Sequence, residues 1–132
     1  MARVKGRDTR PEMTVRRALW AAGLRYRLHD KRLPGKPDIV FASRCVALFV
    51  HGCFWHRHPG CQAARMPKSR PEFWEPKLAG NVIRDREQRS RLEALGWTVL
   101  VIWECETRDP SALKALAARI RRIKLTAKRL RR

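Results

Sequence analysis

Apolar residues recur at helical spacing at Val15, Ala18, Leu19 and Ala22, a stripe that predicts an amphipathic helix facing a core. Thr9-Arg10-Pro11-Glu12 marks its start, with Thr9 as N-cap, Pro11 inside the first turn and Glu12 at the capping-box position, and Gly23 marks its stop. The period then changes. Residues 26–28 read as extended, residues 30–37 as a turn-rich basic loop, and residues 38–41 and 45–50 as two short apolar runs. Only Ala42-Ser43-Arg44 separates those runs, which predicts a β-hairpin. After a loop over residues 66–71, a second helix is expected from near Pro76 to Leu95, ahead of Gly96. Residues 97–103 are almost wholly apolar, as a strand covered on both faces would be. Asp109-Pro110 is another helix start, and Leu113, Leu116, Ala117, Ile120, Ile123, Ala127 and Leu130 mark one face of a basic terminal helix over 109–132. The order helix, strand, hairpin strands, helix, strand, helix predicts an α/β fold around one mixed sheet. With 132 residues and neither repeat nor linker, a single domain over 1–132 is expected.

Charge narrows the partner. The chain carries 31 Lys+Arg against 12 Asp+Glu, a net charge of +19, which is self-repulsive unless a polyanion shares the field. Nucleic acid is the first candidate, through phosphate contacts and counterion release; an acidic membrane surface is the second. No apolar run approaches transmembrane length, and no apolar stretch follows the basic N-terminus as in a secretory signal. Eight Lys or Arg and no acid lie between Arg119 and Arg132, so the tail is either a solvated helix face or a phosphate-contacting arm.

The stretch His51-Gly52-Cys53-Phe54-Trp55-His56-Arg57-His58-Pro59-Gly60-Cys61 packs two thiols, three imidazoles and two large aromatics together. Cys-x4-His-x2-Cys offers three soft donors of the kind Zn²⁺ takes in a closed tetrahedron. Cys105, just past the last apolar run, is the natural fourth, whereas Cys45 sits inside an apolar run and reads as buried. Cys53, His58, Cys61 and Cys105 are therefore the candidate Cys₃His site, with His56 as the competing imidazole. A disulfide pair or inert buried thiols are the rival readings, but nothing in the chain points to an oxidising compartment.

Asp38 enters the hairpin after Pro37, where a carboxylate either ends a loop or offers Mg²⁺ a hard oxygen. The second hairpin strand runs straight into the His/Cys cluster, bringing His51 and His56 toward Asp38. An imidazole there reads as a general base for water or as a spare zinc ligand. His29 attracts no functional expectation. Phe54, Trp55 and the pair Phe73-Trp74 fall where aromatics either pack or stack on bases; Trp20, Trp97 and Trp103 fall in regular elements and are expected in the core.

Taken together, Thr9-Arg10-Pro11-Glu12, Leu33-Pro34-Gly35-Lys36-Pro37-Asp38, Val50-His51-Gly52-Cys53-Phe54-Trp55-His56, Phe73-Trp74, Asn81-Val82-Ile83-Arg84-Asp85, Gly96-Trp97 and Trp103-Glu104-Cys105 resemble the very short patch repair (Vsr) endonucleases. The resemblance spans roughly residues 7 to 106. It implies a restriction-endonuclease-like fold and Mg²⁺-dependent nicking of one DNA strand 5′ of the T in a T:G mismatch. It further implies that Asp38 binds Mg²⁺ with the main-chain carbonyl of Val50, that His56 is the general base oriented by Asp85, and that His51 and Glu12 belong to the same active site. The wider nuclease superfamily carries an acid and a Lys on the second hairpin strand; here Leu48 and Val50 occupy that stretch.

The family's zinc ligands correspond to Cys53, His58, Cys61 and Cys105, with Pro59-Gly60 lengthening the His58 to Cys61 spacing by one residue. Phe54, Trp55 and Trp74 correspond to aromatics inserted beside the mismatch, and residues 1–10 to an arm reaching the minor groove. Double-stranded DNA is thus the implied substrate, with a functional link to a cytosine-5 DNA methyltransferase and mismatch-repair proteins. A monomer acting in a bacterial cytoplasm, at the nucleoid, is the implied setting. Two other readings stand beside this one: a metal-dependent nickase of other specificity, and a zinc-stabilised DNA-binding module without hydrolysis.

Overall fold

The structure is a computed structural model, and it describes residues 8–125. Helix α1 (Arg10–Ala21) precedes strands β1 (Arg27–Leu28), β2 (Ile39–Phe41) and β3 (Val46–His51); helix α2 (Pro71–Ala94), strand β4 (Thr98–Trp103) and helix α3 (Pro110–Arg122) follow. The four strands form one mixed sheet in the order β1-β2-β3-β4, antiparallel between the first three and parallel between β3 and β4. The expected hairpin is β2-β3, paired Ile39 to Leu48 and Phe41 to Val46. The parallel pair needs a crossover, and α2 supplies it.

Because side chains alternate across a strand, the sheet buries both faces. Ile39, Phe41, Val46, Leu48, Leu100 and Ile102 pack with Val15 and Leu19 of α1 and Ala117 and Ile120 of α3. Ala47, Phe49 and Val99 pack on the opposite face with Leu92 of α2. The result is a three-layer α/β arrangement, α1 and α3 on one side and α2 on the other. Leu48 and Val46 are fully buried, which is why 45–50 reads as an unbroken apolar run.

Helix α2 begins at Pro71, five residues before the expected start at Pro76. Proline is favoured at a first helical position, and Pro71 holds it; Pro76 is tolerated inside at the loss of one backbone hydrogen bond. Residues Leu78, Asn81, Asp85, Gln88 and Leu92 recur at three and four residues. Only Leu78 and Leu92 of this helix are buried, so the inward stripe is apolar at its ends and polar in the middle.

Thr9 caps α1 as expected, its hydroxyl accepting from the Glu12 backbone N–H at 3.3 Å. Glu12 does not complete the reciprocal bond to Thr9; its Oε1 accepts from the Asp8 N–H at 3.2 Å. The terminal helix stops at Arg122, where Ile123 turns extended. Ala127 and Leu130, and residues 1–7 of the expected arm, lie outside the described residues. Cys45 is buried as expected. Trp20 corrects an expectation: it is 51% exposed, and the Arg25 guanidinium lies 3.6 Å over its ring.

Candidate active site and metal centre

The carboxyl end of β3, the start of β2 and the middle of α2 converge on a cleft of about 460 Å³. Glu12, Asp38, Val50, His51, His56 and Asp85 all line it, joined by Lys36, Trp55, Gln88 and Glu104. Sequence positions far apart are thus gathered at one end of the sheet. Asp38 lies one residue before the β2 ladder, and its Oδ2 accepts the Val50 N–H at 2.7 Å. This bond extends the β2-β3 pairing with a side chain and holds the carboxylate beside the Val50 backbone. Burial, with Glu12 nearby, raises the Asp38 pKa to about 6 despite the Val50 bond. A desolvated carboxylate beside a second one is a site that gains from a cation, and hard oxygens suit Mg²⁺.

His56 Nδ1 lies 2.7 Å from Asp85 Oδ2, and the His51 and His56 rings stack 3.9 Å apart, 5° from parallel. Asp85 fixes which His56 nitrogen carries the proton: a donated Nδ1–H leaves Nε2 as the basic face. The His56 loop is pinned to α2 by Asn81, whose amide donates to the Trp55 carbonyl at 3.0 Å. His51, only 8% exposed, has its pKa lowered to about 4, first by burial and then by His56. It is neutral at physiological pH, and its Nδ1 has no hydrogen-bond partner among the described residues.

Glu12 is 2% exposed. Its Oε2 meets His29 Nε2 at 2.7 Å and Arg16 at 2.5 Å. His29, for which the sequence offered no role, also donates its backbone N–H to the Asp38 carbonyl at 3.0 Å. It touches both acids, and only tertiary proximity reveals it. Asn81 and Gln88 were legible in principle, since they share a helical stripe with Asp85.

Away from the cleft, ligand atoms of Cys53, His58, Cys61 and Cys105 lie within 4.8 Å of one another. Three thiols and one imidazole at such separations fit a tetrahedral Zn²⁺ with bonds near 2.0–2.3 Å. Cys105 Sγ is 3.5 Å from His58 Nδ1, and the Cys105 N–H points at Cys53 Sγ at 3.4 Å. The His58 ring stacks on Trp103 at 4.2 Å. Burial raises the Cys53 thiol, whereas backbone N–H groups beginning with Ala63 lower Cys61. Of the two competing imidazoles, His58 groups with the thiols and His56 with His51 and Asp85.

Phe54, Trp55 and Trp74 form one aromatic cluster with ring centroids 5.1 to 5.8 Å apart. Phe73 continues it at 4.9 Å from Trp74 and is 42% exposed. Trp103 is half-buried between His51 and His58, and Trp97 is half-buried against the α2-side core.

Known proteins carry the same pattern. The family model for the DNA mismatch endonuclease Vsr matches residues 1–62. The type II nicking enzyme V.XorIIP of Xanthomonas oryzae pv. oryzae is 52% identical over 123 residues, 93% of this chain and 88% of that protein. The DNA mismatch endonuclease Vsr of Escherichia coli is 45% identical over 123 residues, 91% of this chain and 78% of its own. The type II nicking enzyme V.NmeAIP of Neisseria meningitidis is 42% identical over 109 residues, 83% and 77% of the two chains. With identity of this depth across nearly the whole α/β unit, the chain belongs to the Vsr family of DNA mismatch endonucleases and is a DNA-nicking endonuclease.

Proposed function

We propose that the protein nicks one strand of duplex DNA 5′ of the thymine in a T:G mismatch, as a Mg²⁺-dependent endonuclease of very short patch repair. The observation that carries this reading is the meeting of Asp38 and the His56–Asp85 pair across one cleft. Asp38 and the Val50 carbonyl would hold Mg²⁺, which would supply charge stabilisation at the scissile phosphate and the leaving oxygen. His56 takes the proton from the attacking water through Nε2. Asp85 orients the ring and stabilises the imidazolium that results. His51 stacks on that ring, and Glu12 borders the metal site. A binding module without hydrolysis would leave Asp38, His56 and Asp85 with no joint role.

Cys53, His58, Cys61 and Cys105 would hold a structural Zn²⁺ that ties the His56 loop to the end of β4. Phe54, Trp55 and Trp74 are the candidate wedge: opening a mispaired step costs less than opening a paired one, so insertion converts weak pairing into recognition. We assign the fold as restriction-endonuclease-like and residues 1–132 as one domain, with residues 1–10 as a basic arm and 109–132 as a basic C-terminal segment. One active site suffices to nick one strand, so a monomer acting on mismatched DNA is the proposed unit. A link to a cytosine-5 methyltransferase and mismatch repair, in the cytoplasm at the nucleoid, belongs to the same proposal.

A second reading keeps the chemistry and changes the target, and the name type II nicking enzyme borne by the 52%-identical relative favours it. End-labelled duplexes that differ only by a T:G or T:A pair in a CT(A/T)GG-like context separate the two. A single Mg²⁺-dependent cut 5′ of the mispaired T supports mismatch repair; equal cutting of both duplexes favours the second reading.

A further inference from the structure

The charge around the cleft is opposite to that of the molecule. In a chain of net charge +19, the cleft is lined by four carboxylates, Glu12, Asp38, Asp85 and Glu104. Among the described lining residues, Lys36 is the only Lys or Arg. Arg16 offsets Glu12 at 2.5 Å without itself lining the cleft, so a DNA phosphate entering there still faces more carboxylate than cationic charge, and carboxylates within several ångströms act at low effective dielectric. A single divalent ion offsets part of that charge and leaves the rest.

Lys36 is also held in an unusual way. Its backbone is left-handed, with φ 46, a region that costs a non-glycine residue on the order of 1 kcal/mol or more. The surroundings enforce it: the Lys36 N–H donates to the Leu33 carbonyl at 3.1 Å, Pro37 is fully buried behind it, and Gly35 at φ +76 lies against Gln88 of α2. The side chain itself is exposed and forms no ion pair with a described residue. A strained backbone that presents an ammonium unpaired among the described residues at the mouth of an acidic cleft, two residues from Asp38, fits a contact made only when substrate is present.

We propose that Lys36 contacts the scissile phosphate, placing its ammonium on a non-bridging oxygen and supplying a positive charge that, unlike that of Arg16, is not already paired with a cleft carboxylate. The inference rests on the reading of this cleft as the nuclease active site. Lys36 adds electrostatic stabilisation as negative charge grows on the phosphate; it transfers no proton. A lysine that merely raised general DNA affinity would change binding and leave the rate of the bound complex alone.

Single-turnover nicking with saturating enzyme and Mg²⁺, run side by side on T:G and T:A duplexes, reads this directly. Lys36→Ala and Lys36→Gln are expected to slow the bound-complex rate tenfold or more, and Lys36→Arg to recover most of it. Lys36→Gly should be as slow as Lys36→Ala while melting no lower than the parent, since glycine adopts the left-handed backbone freely; the loss then does not come from misfolding. A Lys36→Ala enzyme that cuts as fast as the parent at saturation overturns the proposal. If the parent cuts both duplexes alike, the mismatch reading falls and the Lys36 comparison stands. If the parent cuts neither, duplexes with a neutral methylphosphonate at the phosphate 5′ of the T decide through affinity. The parent should lose several-fold on that substitution and Lys36→Ala should lose nothing further; equal losses in both proteins would sink the contact.

Discussion

Replacing Asp38 by Asn should make the protein more stable and less active, and the pH dependence of the gain identifies its cause. Burial raises the folded pKa of Asp38 from 3.8 to about 6. Between those values the folded state holds a proton that the unfolded state has released, so stability falls as pH rises. The cost is absent below pH 4 and complete above pH 6. Two pKa units at about 1.36 kcal/mol each set it near 3 kcal/mol. Asn is neutral throughout and its Oδ1 can still accept the Val50 N–H, so Asp38→Asn should match the parent at pH 4 and exceed it by about 3 kcal/mol at pH 7. For a domain of this size that is roughly 10 °C in Tm.

His51 sharpens the test because its sign is opposite. Its folded pKa of about 4 lies below the ordinary 6.5, so the stability of the neutral ring is present above 6.5 and is lost as pH falls toward 4. In the parent these two slopes largely cancel between pH 4 and 6; in Asp38→Asn the rising one stands alone. Thermal or urea melts across pH 4 to 8, without Mg²⁺ and without chelator so that any zinc stays bound, measure the difference. A stability difference that does not change with pH, or a parent more stable than the variant at pH 7, would refute the buried-carboxylate argument. Nicking by Asp38→Asn should fall by about three orders of magnitude, on the order of 4 kcal/mol, with DNA affinity retained.

Three further outcomes follow from the geometry. His56→Ala should lower nicking by roughly 10² to 10⁴-fold, and Asp85→Asn should do the same through the wrong tautomer, both seen in the single-turnover rate with DNA affinity unchanged. Purified protein should carry about one zinc per chain; Cys105→Ser and His58→Ala should lower zinc content and Tm together, whereas His56→Ala should leave metal content intact, and loss of zinc there would move the imidazole ligand to His56. Gly35→Ala should cost about 1 kcal/mol or more, because φ +76 disfavours any side chain and its Cβ would approach Gln88 Oε1 to 2.8 Å; pairing it with Gln88→Ala should recover only the contact part in denaturant melts.

The strands and the outer helices were legible in the sequence because their signals are local: an unbroken apolar run for β3 and β4, a cap and a three-four stripe for α1 and α3. The zinc-like cluster was legible too, since three of its four ligands fall within nine residues. The start of α2 was not. Pro76 carries the same boundary signal as Pro71, and the inward stripe of the helix is polar at Asn81, Asp85 and Gln88, where it serves the cleft rather than the core. Trp20 reads as core by type, yet α1 turns it to the surface under Arg25.

What the chain by itself determined is therefore its elements, its soft-ligand cluster and its basic character, each written in neighbouring residues. Tertiary structure alone decided how they meet. The pairing of His29 with Glu12 across 17 positions and of His56 with Asp85 across 29, and the choice of His58 over His56 beside the thiols, depend on strand register and helix placement. So does the acidity of the cleft in a basic protein, because four carboxylates scattered from residue 12 to 104 become one site only when α1, the start of β2, α2 and the end of β4 are packed together. Local propensity cannot encode such distances; burial of the two sheet faces sets them.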